Sequence, residues 1–465
     1  MADPATRSVN GPHWRVLAVV CTMMWGVYFM NHVVYDLPAS LSVALSKHLS
    51  LSGPHYAYLL STLYTVYAVP NCILPFFSGP AVQRYGERAV LLITVTSVIA
   101  GQLLFALAVQ IRSPLGLILG RVLIGLGGEV IGVLASEIIT RWFKDKQLSL
   151  ALGLNLGVSR LGSVAGSAFI PMIIESSSVV SATWIGTLLS LGAIAISVAS
   201  LHALTNAVSG QTTAPDTGSS VVPLRQLPRI YWHLSLICVL GYGGINTFTN
   251  SAQRFLAAWF YHGDQRAAGL ATSIPYALSG VLVPVFGLLL DLPWFRSCPR
   301  ALIASNFLLA LAHLQFISRV MPIMPLCLLG IAFALYGVAF WAAVAQSLVF
   351  AVQSWPSQNS NNSDSSREFA REGGYESIRS STDSEDTQGE SSDLADSIHE
   401  DHEKAIMTLG FGIMTSLLNA STAVVPILLA ETEERAGFDG LERVFLALAV
   451  LGHLASVRLA WIWKI

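Results

Sequence analysis

Apolar runs of about 20 residues recur from Trp14 to the C-terminus, each long enough to cross the hydrocarbon core of a bilayer as a helix. Inside a bilayer every backbone N–H and C=O must be satisfied within the chain, so such runs fold as a helical bundle. Twelve can be drawn. The first six run over about 14–35, 55–78, 89–110, 115–140, 148–173 and 180–204. The last six run over about 231–260, 267–290, 300–318, 323–350, 405–430 and 441–463. A polar stretch rich in Ser, Thr, Gly and Pro separates the two sets, from Thr205 to Arg229. The pattern predicts an all-α polytopic membrane protein with a cytosolic tail over 1–13 and a six-helix bundle over 14–204. A cytosolic linker over 205–230 and a second six-helix bundle over 231–465 follow. The first run is too long for a signal-peptide core and has no small-residue cleavage site, so it is expected to be the first span.

Charge supports this reading. Only 12% of the residues are charged, about half the share in a soluble protein. The formal net charge of −2 conceals two different materials. Thirteen of the 28 acidic residues, but only four of the 26 basic ones, fall between Ser354 and Lys404. The remainder therefore carries 22 basic and 15 acidic residues, a net of +7. Basic loops beside an anionic leaflet account for that surplus. Because the basic residues are scattered over loops, a nucleic-acid partner is not expected. With the N-terminus in the cytosol, Arg7, Arg84, Arg88, Arg141, Lys144, Lys146, Arg225, Arg229, Arg296 and Arg300 share the cytosolic side. The opposite loops hold Lys47, Arg112, Arg266, Arg319, Arg435 and Arg443. The bias places both termini in the cytosol. The five cysteines show no metal spacing and read as small buried side chains.

Residues 354–404 contain 13 serines and 13 acids and almost no large apolar side chains. Too little surface is available there to offset ordering entropy, so a disordered cytosolic loop between the tenth and eleventh spans is expected. It reads as a solvated loop. A phosphorylated regulatory loop is the sharper reading, since Ser365, Thr382 and Ser397 each precede an acid by three residues.

Ionisable residues inside spans separate the functional classes. Glu129 and Glu137 lie in the fourth span and Arg160 in the fifth; each needs a partner or a wet cavity. The connection from Trp142 to Gln147 is short, so these two spans are antiparallel neighbours. Glu129 precedes Trp142 by 13 residues and Arg160 follows Gln147 by 13. Both therefore sit about 20 Å from the cytosolic face, at matched depth near the midplane. A guanidinium can hold a carboxylate bidentately, and a carboxylate can accept from an ammonium group. The pair thus suits a zwitterionic substrate in a central cavity. It also suits a structural ion pair locking the two spans together. Asp36 closes the first span. Arg254, in the seventh, reaches either the cavity or the membrane surface by snorkelling. Asn419 is expected to hydrogen-bond between helices. Gly125, Gly127 and Gly128 are expected to permit close packing. His32, His313 and His453 read as satisfied structural residues rather than proton carriers.

The six–linker–six layout resembles the major facilitator superfamily. In the loop after the second span, Gly79, Arg84, Gly86 and Arg88 fit that superfamily's pattern, with Gln83 where an aspartate is usual. Gly287 and Asp291 fit after the eighth span, and Arg121 with Gly125 in the fourth. Further stretches are similar to the lysosomal dipeptide transporter family. They are Tyr35-Asp36-x-Pro38-Ala39, Tyr67-x-x-Pro70-Asn71, Gly120-Arg121 through Gly127-Gly128-Glu129, Trp142-Phe143-Lys144-x-Lys146, Arg160-x-Gly162-Ser163 and Pro284 to Leu288. The resemblance implies a major facilitator fold of 12 transmembrane helices in two six-helix bundles. It implies a dipeptide carrier of the lysosomal or vacuolar membrane, with Glu129 taking the amino end of the substrate and Arg160 its carboxylate. Arg254 matches a basic position of the seventh span, and Asp36 joins these as a substrate-binding candidate. The resemblance also implies a glycosylated single-span accessory subunit that shields the carrier. The sequons at Asn361 and Asn419 fall in a cytosolic loop and a span, so neither is expected to carry a glycan.

No nucleotide loop, metal cluster or nucleophile–base set is apparent, so neither catalysis nor a cofactor is expected. Two other readings stand beside the dipeptide carrier. One is a carrier of another zwitterion or an organic anion, proton-coupled through Glu129 or Glu137. The other is a membrane scaffold or nutrient receptor that binds solute without moving it.

Overall fold

The computed structural model describes residues 29–74, 77, 81, 84–85, 87–143, 148–207, 227–292, 297–353 and 386–463. The expected tail and the start of the first span lie outside the described residues, as do Gly79, Gln83, Gly86, Lys144, Lys146, most of the linker and the loop from 354 to 385.

Every regular element among the described residues is a helix. In order these helices are α1 (Met30–Ser40), α2 (Ser42–His48), α3 (Gly53–Asn71), α4 (Glu87–Gln110), α5 (Pro114–Phe143) and α6 (Leu148–Ser176). They continue with α7 (Val179–Ala207), α8 (Arg229–Trp259), α9 (Gln265–Asp291), α10 (Cys298–Ser318), α11 (Ile323–Gln353) and α12 (Asp386–Ile462). Helix α1 is the described end of the first span, α2 covers a connection, and α3 to α11 are spans two to ten.

Helix α12 is two spans joined at a single non-helical residue, Gly437, whose φ is 62°. Side-chain contacts show that the chain reverses there. Before it, Gly410, Thr422 and Glu433 meet Tyr231, Asn246 and Arg254 of α8 in ascending order. Beyond it, Glu442, His453 and Ser456 meet His313, Ile303 and Asn306 of α10, running the opposite way. The φ at the reversal is left-handed, which a glycine adopts without a Cβ clash.

One difference from the sequence reading concerns residues 386–404, whose backbone is helical and continuous with the eleventh span. Extending an existing helix avoids the nucleation cost, and acidic residues such as Asp386 and Glu390 favour a helix N-terminus. A second difference is a break in the second span: α3 ends at Asn71, just past Pro70, and after a turn at Cys72 and Ile73 the described residues Leu74 and Phe77 are helical again.

Among the described residues, seven helices are long and apolar enough to cross a membrane, the eleventh and twelfth spans counting as one. Large apolar side chains, including Ile93, Leu188, Leu288, Phe307 and Trp461, lie exposed around the outside. Such a surface belongs against lipid. Helix α8 is more polar, carrying Asn246, Thr247, Asn250, Ser251, Gln253 and Arg254. Thr247, Asn250 and Gln253 are buried and the other three half-buried, so this stretch packs against protein rather than lipid.

Five of the six connections at one end are short. They comprise 111–113, 177–178, 260–264, 319–322 and Gly437; the sixth, 41–52, contains α2. Every described residue with positive φ belongs to them: Ser50, Arg112, His262, Gly263, Arg319 and Gly437. Asp264 caps α9 there by accepting from the backbone N–H groups of Arg266 and Ala267, which satisfies two orphan donors of the first turn.

The N-terminal half packs around two apolar clusters, one near Tyr56, Leu63 and Phe105 and the other near Tyr67, Val98 and Ile124. The C-terminal half has one large core rich in aromatic rings. The halves meet along α3 and α12, and along α6 and α9. Thr65 donates to the carbonyl of Ala423 at 2.6 Å, and Gln253 donates to that of Ser40 at 3.0 Å. A Cβ on Gly269 would lie 2.5 Å from the carbonyl oxygen of Ser167, so only glycine allows that approach.

Candidate substrate site between the two halves

The site is built on α5. Arg121, Gly125, Gly128 and Glu129 fall on one side of this helix, at spacings of three and four. A Cβ on Gly125 would come within 2.5 Å of the Tyr67 carbonyl oxygen, and one on Gly128 within 2.7 Å of the Tyr67 hydroxyl. The missing side chains let α3 lie directly on α5. Tyr67 then reaches over Gly128 and donates its hydroxyl to Glu129 Oε1 at 3.2 Å.

Arg121 is fully buried. It donates to the carbonyls of Val34 at 3.1 Å, Tyr35 at 3.2 Å and Leu63 at 3.4 Å. The reason lies in α1. Pro38 has no N–H, so the Val34 carbonyl, four residues earlier, has no helical donor. Arg121 supplies one. The rings of Tyr35, Tyr64 and Tyr67 surround its guanidinium at 4.9 to 5.7 Å, in cation–π range. Among these residues Arg121 acts as a pin that fixes α1 and α3 around Glu129.

Asp36 is buried on the same stretch of α1, and its Oδ2 has no hydrogen-bond partner. Ser163 of α6 lies beside it, and Arg160 and Arg121 are the cations in electrostatic reach. Arg160 of α6 points into the seam between the halves. Its guanidinium carbon lies 3.9 Å from the centroid of the Phe333 ring, which α11 of the other half supplies. Tyr242 and Tyr276, also from the C-terminal half, are near it. The Arg160 Nε is buried without a partner.

The ion pairs among the described residues are Arg254–Glu433, Arg266–Glu175, Arg319–Asp439 and Arg435–Glu431, and His313 meets Glu442 by a hydrogen bond. Glu129 and Arg160 are not one of them. The reading of these two as a bridge locking the fourth span to the fifth is therefore not what the structure shows. Each has its own support, Tyr67 for one and Phe333 for the other.

Arg254 stands apart from this group. It neither snorkels nor faces the central group, but forms a two-pronged pair with Glu433 under the ring of Phe438. Arg254 is five residues from the end of α8, whereas Arg160 is 16 from the end of α6 on the same side. The eleven-residue difference separates their levels by roughly 16 Å. The cavity beside Arg254 and Glu433, reaching Tyr64 and Asn250, has about 20 Å³ of free volume. That holds one water and no peptide.

Other expectations resolve locally. Asn419 donates to the Thr415 carbonyl of its own helix at 3.0 Å, not to a neighbouring one. His313 pairs with Glu442 at 2.9 Å, and His453 meets the Ile303 carbonyl at 3.1 Å. The side chain of Glu137 lies outside the described residues. Three contributors escaped the sequence reading: Tyr67, Phe333 and Glu433. Tyr67 stands in a stretch that carried the family resemblance, but nothing in its spacing pointed at Glu129. Phe333 and Glu433 come from the other half or another helix, and only the tertiary arrangement reveals them.

Two bundles of six spans, opposed across a seam that holds buried charged groups without ionic partners, define a multi-pass membrane carrier and not an enzyme. The chain belongs to the Major Facilitator Superfamily, whose family model matches residues 24–359. It is similar to the lysosomal dipeptide transporter MFSD1 of Bos taurus, 28% identical over 349 residues, or 71% of this chain and 71% of that one. The Homo sapiens protein of that name is 27% identical over 349 residues, 71% of this chain and 72% of its own length. The probable nitrate/nitrite transporter NarK2 of Mycobacterium tuberculosis is 22% identical over 298 residues, 63% of this chain and 70% of that one. Among solved structures, the nucleoside transporter NupG aligns with a TM-score of 0.60 at 11% identity, covering 96% of this chain and 99% of that one. At that identity the likeness shows the fold.

Proposed function

We propose that this chain carries dipeptides across a lysosomal or vacuolar membrane, from the lumen, where proteolysis produces them, to the cytosol. The carrying observation is that Glu129 and Arg160, 14 and 12 residues from the connected ends of α5 and α6, do not pair with each other. The substrate ammonium meets Glu129, steadied by Tyr67. Its carboxylate meets Arg160, whose Nε has no other acceptor. Asp36 lies close enough to tune Arg160. Arg254 contributes at a separate level, through its pair with Glu433. Transport proceeds by rocking of residues 14–204 against 231–463, which exposes the central site to each side in turn. The likeness to the dipeptide transporters named above supports both the substrate and the membrane. A shield against lumenal proteases, in this reading, comes from a glycosylated partner, because Asn419 is occupied within its helix.

The test is ligand-dependent thermal stabilisation of the purified protein. Arg160→Ala abolishes stabilisation by a dipeptide and leaves the protein folded. Stabilisation equal to that of the wild type refutes the assignment. A second reading, a carrier of anions, is favoured by the likeness to a probable nitrate/nitrite transporter and by the unpaired Nε of Arg160. Competition among dipeptides, amino acids and inorganic anions separates the two. Uptake into liposomes separates either from a receptor that binds without moving solute.

A further inference from the structure

Arg160 belongs to the N-terminal half, yet its guanidinium face is covered from the C-terminal half. Phe333 of α11 lies with its ring centroid 3.9 Å from the guanidinium carbon, well inside cation–π range. Stacking uses the face of the guanidinium and leaves its N–H edge free, and the edge is what grips a carboxylate bidentately. Here the edge includes Nε, a buried donor with no acceptor. Gly280 of α9 backs the same side chain, where an added Cβ would lie 3.3 Å from the Arg160 Cβ. The arginine stem is thus confined on one side, its head lies over a ring, and its Nε donor is unspent.

We infer that Phe333 is a positioning residue for carboxylate recognition. It holds the Arg160 guanidinium in the plane that meets the substrate carboxylate. Because the ring comes from the opposite half, the arginine is aimed only while the halves are together at this level. A carboxylate therefore meets a prepared site in one arrangement of the halves and a loose side chain in the other. This inference rests on the dipeptide reading for its ligand, but the stack itself is independent of it. Tyr242 and Tyr276 of the C-terminal half also lie within electrostatic reach of the same guanidinium.

The test uses the full chain with Phe333→Leu, which keeps an apolar side chain, and Phe333→Tyr, which keeps the ring. Binding of alanylalanine and of alanylalanine amide is measured for each, with transport in liposomes. Phe333→Leu weakens alanylalanine binding by about 3- to 30-fold and leaves the amide unaffected. Phe333→Tyr stays near the wild type. In liposomes Phe333→Leu raises KM and keeps the maximal rate. Equal losses for acid and amide, or no loss for either, overturn the inference, since packing alone would not distinguish the two ligands. If the wild type binds no dipeptide, the dipeptide reading has failed and the stack is read separately. Phenylglyoxal modification at Arg160, followed by mass spectrometry, is then several-fold faster in Phe333→Leu than in the wild type. Equal rates refute the positioning role.

Discussion

Replacing Arg121 by Met tests how α1 is held at the site. Of its three acceptors, the carbonyls of Tyr35 and Leu63 keep helical donors at Ala39 and Tyr67. The Val34 carbonyl does not, because Pro38 stands where its donor would be. Losing two auxiliary bonds costs about 0.5–1.5 kcal/mol each, and stranding the buried Val34 carbonyl costs about 1–3 kcal/mol. The sum is roughly 2–6 kcal/mol, less whatever is recovered by no longer burying a cation. Pro38→Ala restores an N–H opposite Val34. In the Arg121→Met background it returns about 1–3 kcal/mol, and in the wild type much less, because Arg121 already serves that carbonyl. The assay is a double-mutant cycle on thermal unfolding in detergent at fixed scan rate, with tryptophan fluorescence as the probe. Coupling of at least about 1 kcal/mol between the two sites is expected. Strict additivity would show that Arg121 does not serve the carbonyl freed by the proline.

Three further outcomes follow from the packing. Glu433→Gln strands Arg254 in a mostly buried site and lowers stability by about 3–5 kcal/mol; the exchange Arg254→Glu with Glu433→Arg recovers most of it, as unfolding temperatures of the single and double variants would report. Tyr67→Phe removes the hydroxyl from Glu129, weakening dipeptide binding about tenfold by isothermal titration while leaving the unfolding temperature within a few degrees. Gly125→Ala pushes a Cβ against the Tyr67 backbone and costs about 1–3 kcal/mol; an unchanged unfolding temperature would contradict the close approach of α3 to α5.

The spans were legible because hydrophobic length is a property of the chain itself. From the third span to the tenth, the ends drawn from sequence fall within three residues of the observed ones. The break in the second span was not legible, because the apolar run continues unbroken past Pro70 while the backbone turns at Cys72 and Ile73 before Leu74 and Phe77 are helical again. The helical stretch from 386 was also hidden, since composition reports the solvation of a segment but not whether an adjoining helix will propagate into it. At the site, the common depth of Glu129 and Arg160 followed from counting residues. Their lack of a mutual ion pair did not, because azimuth around a helix depends on neighbours. Tyr67 and Phe333 show what was missing. One acts through a glycine that lets a helix come close, and the other crosses from a helix more than 170 positions away in the chain. Arg254 joined the substrate candidates through the family resemblance; Glu433, its partner, lies on another helix and only the tertiary arrangement brings the two together.

The turns at one end of the molecule carry a consequence for durability. A protease must draw an extended stretch of several residues into its cleft, and exposed loop tips are where chains are usually cut. Here five of the six described connections at that end are one to five residues long, the sixth is mostly the helix α2, and five of the six turn through a left-handed residue. The Gly437 reversal is held on both sides, by Glu433 on Arg254 and by Glu442 on His313. To present such a turn, the ends of two helices would have to unwind and a buried ion pair would have to open. A face built this way resists digestion through its backbone geometry, before any sugar or partner is added.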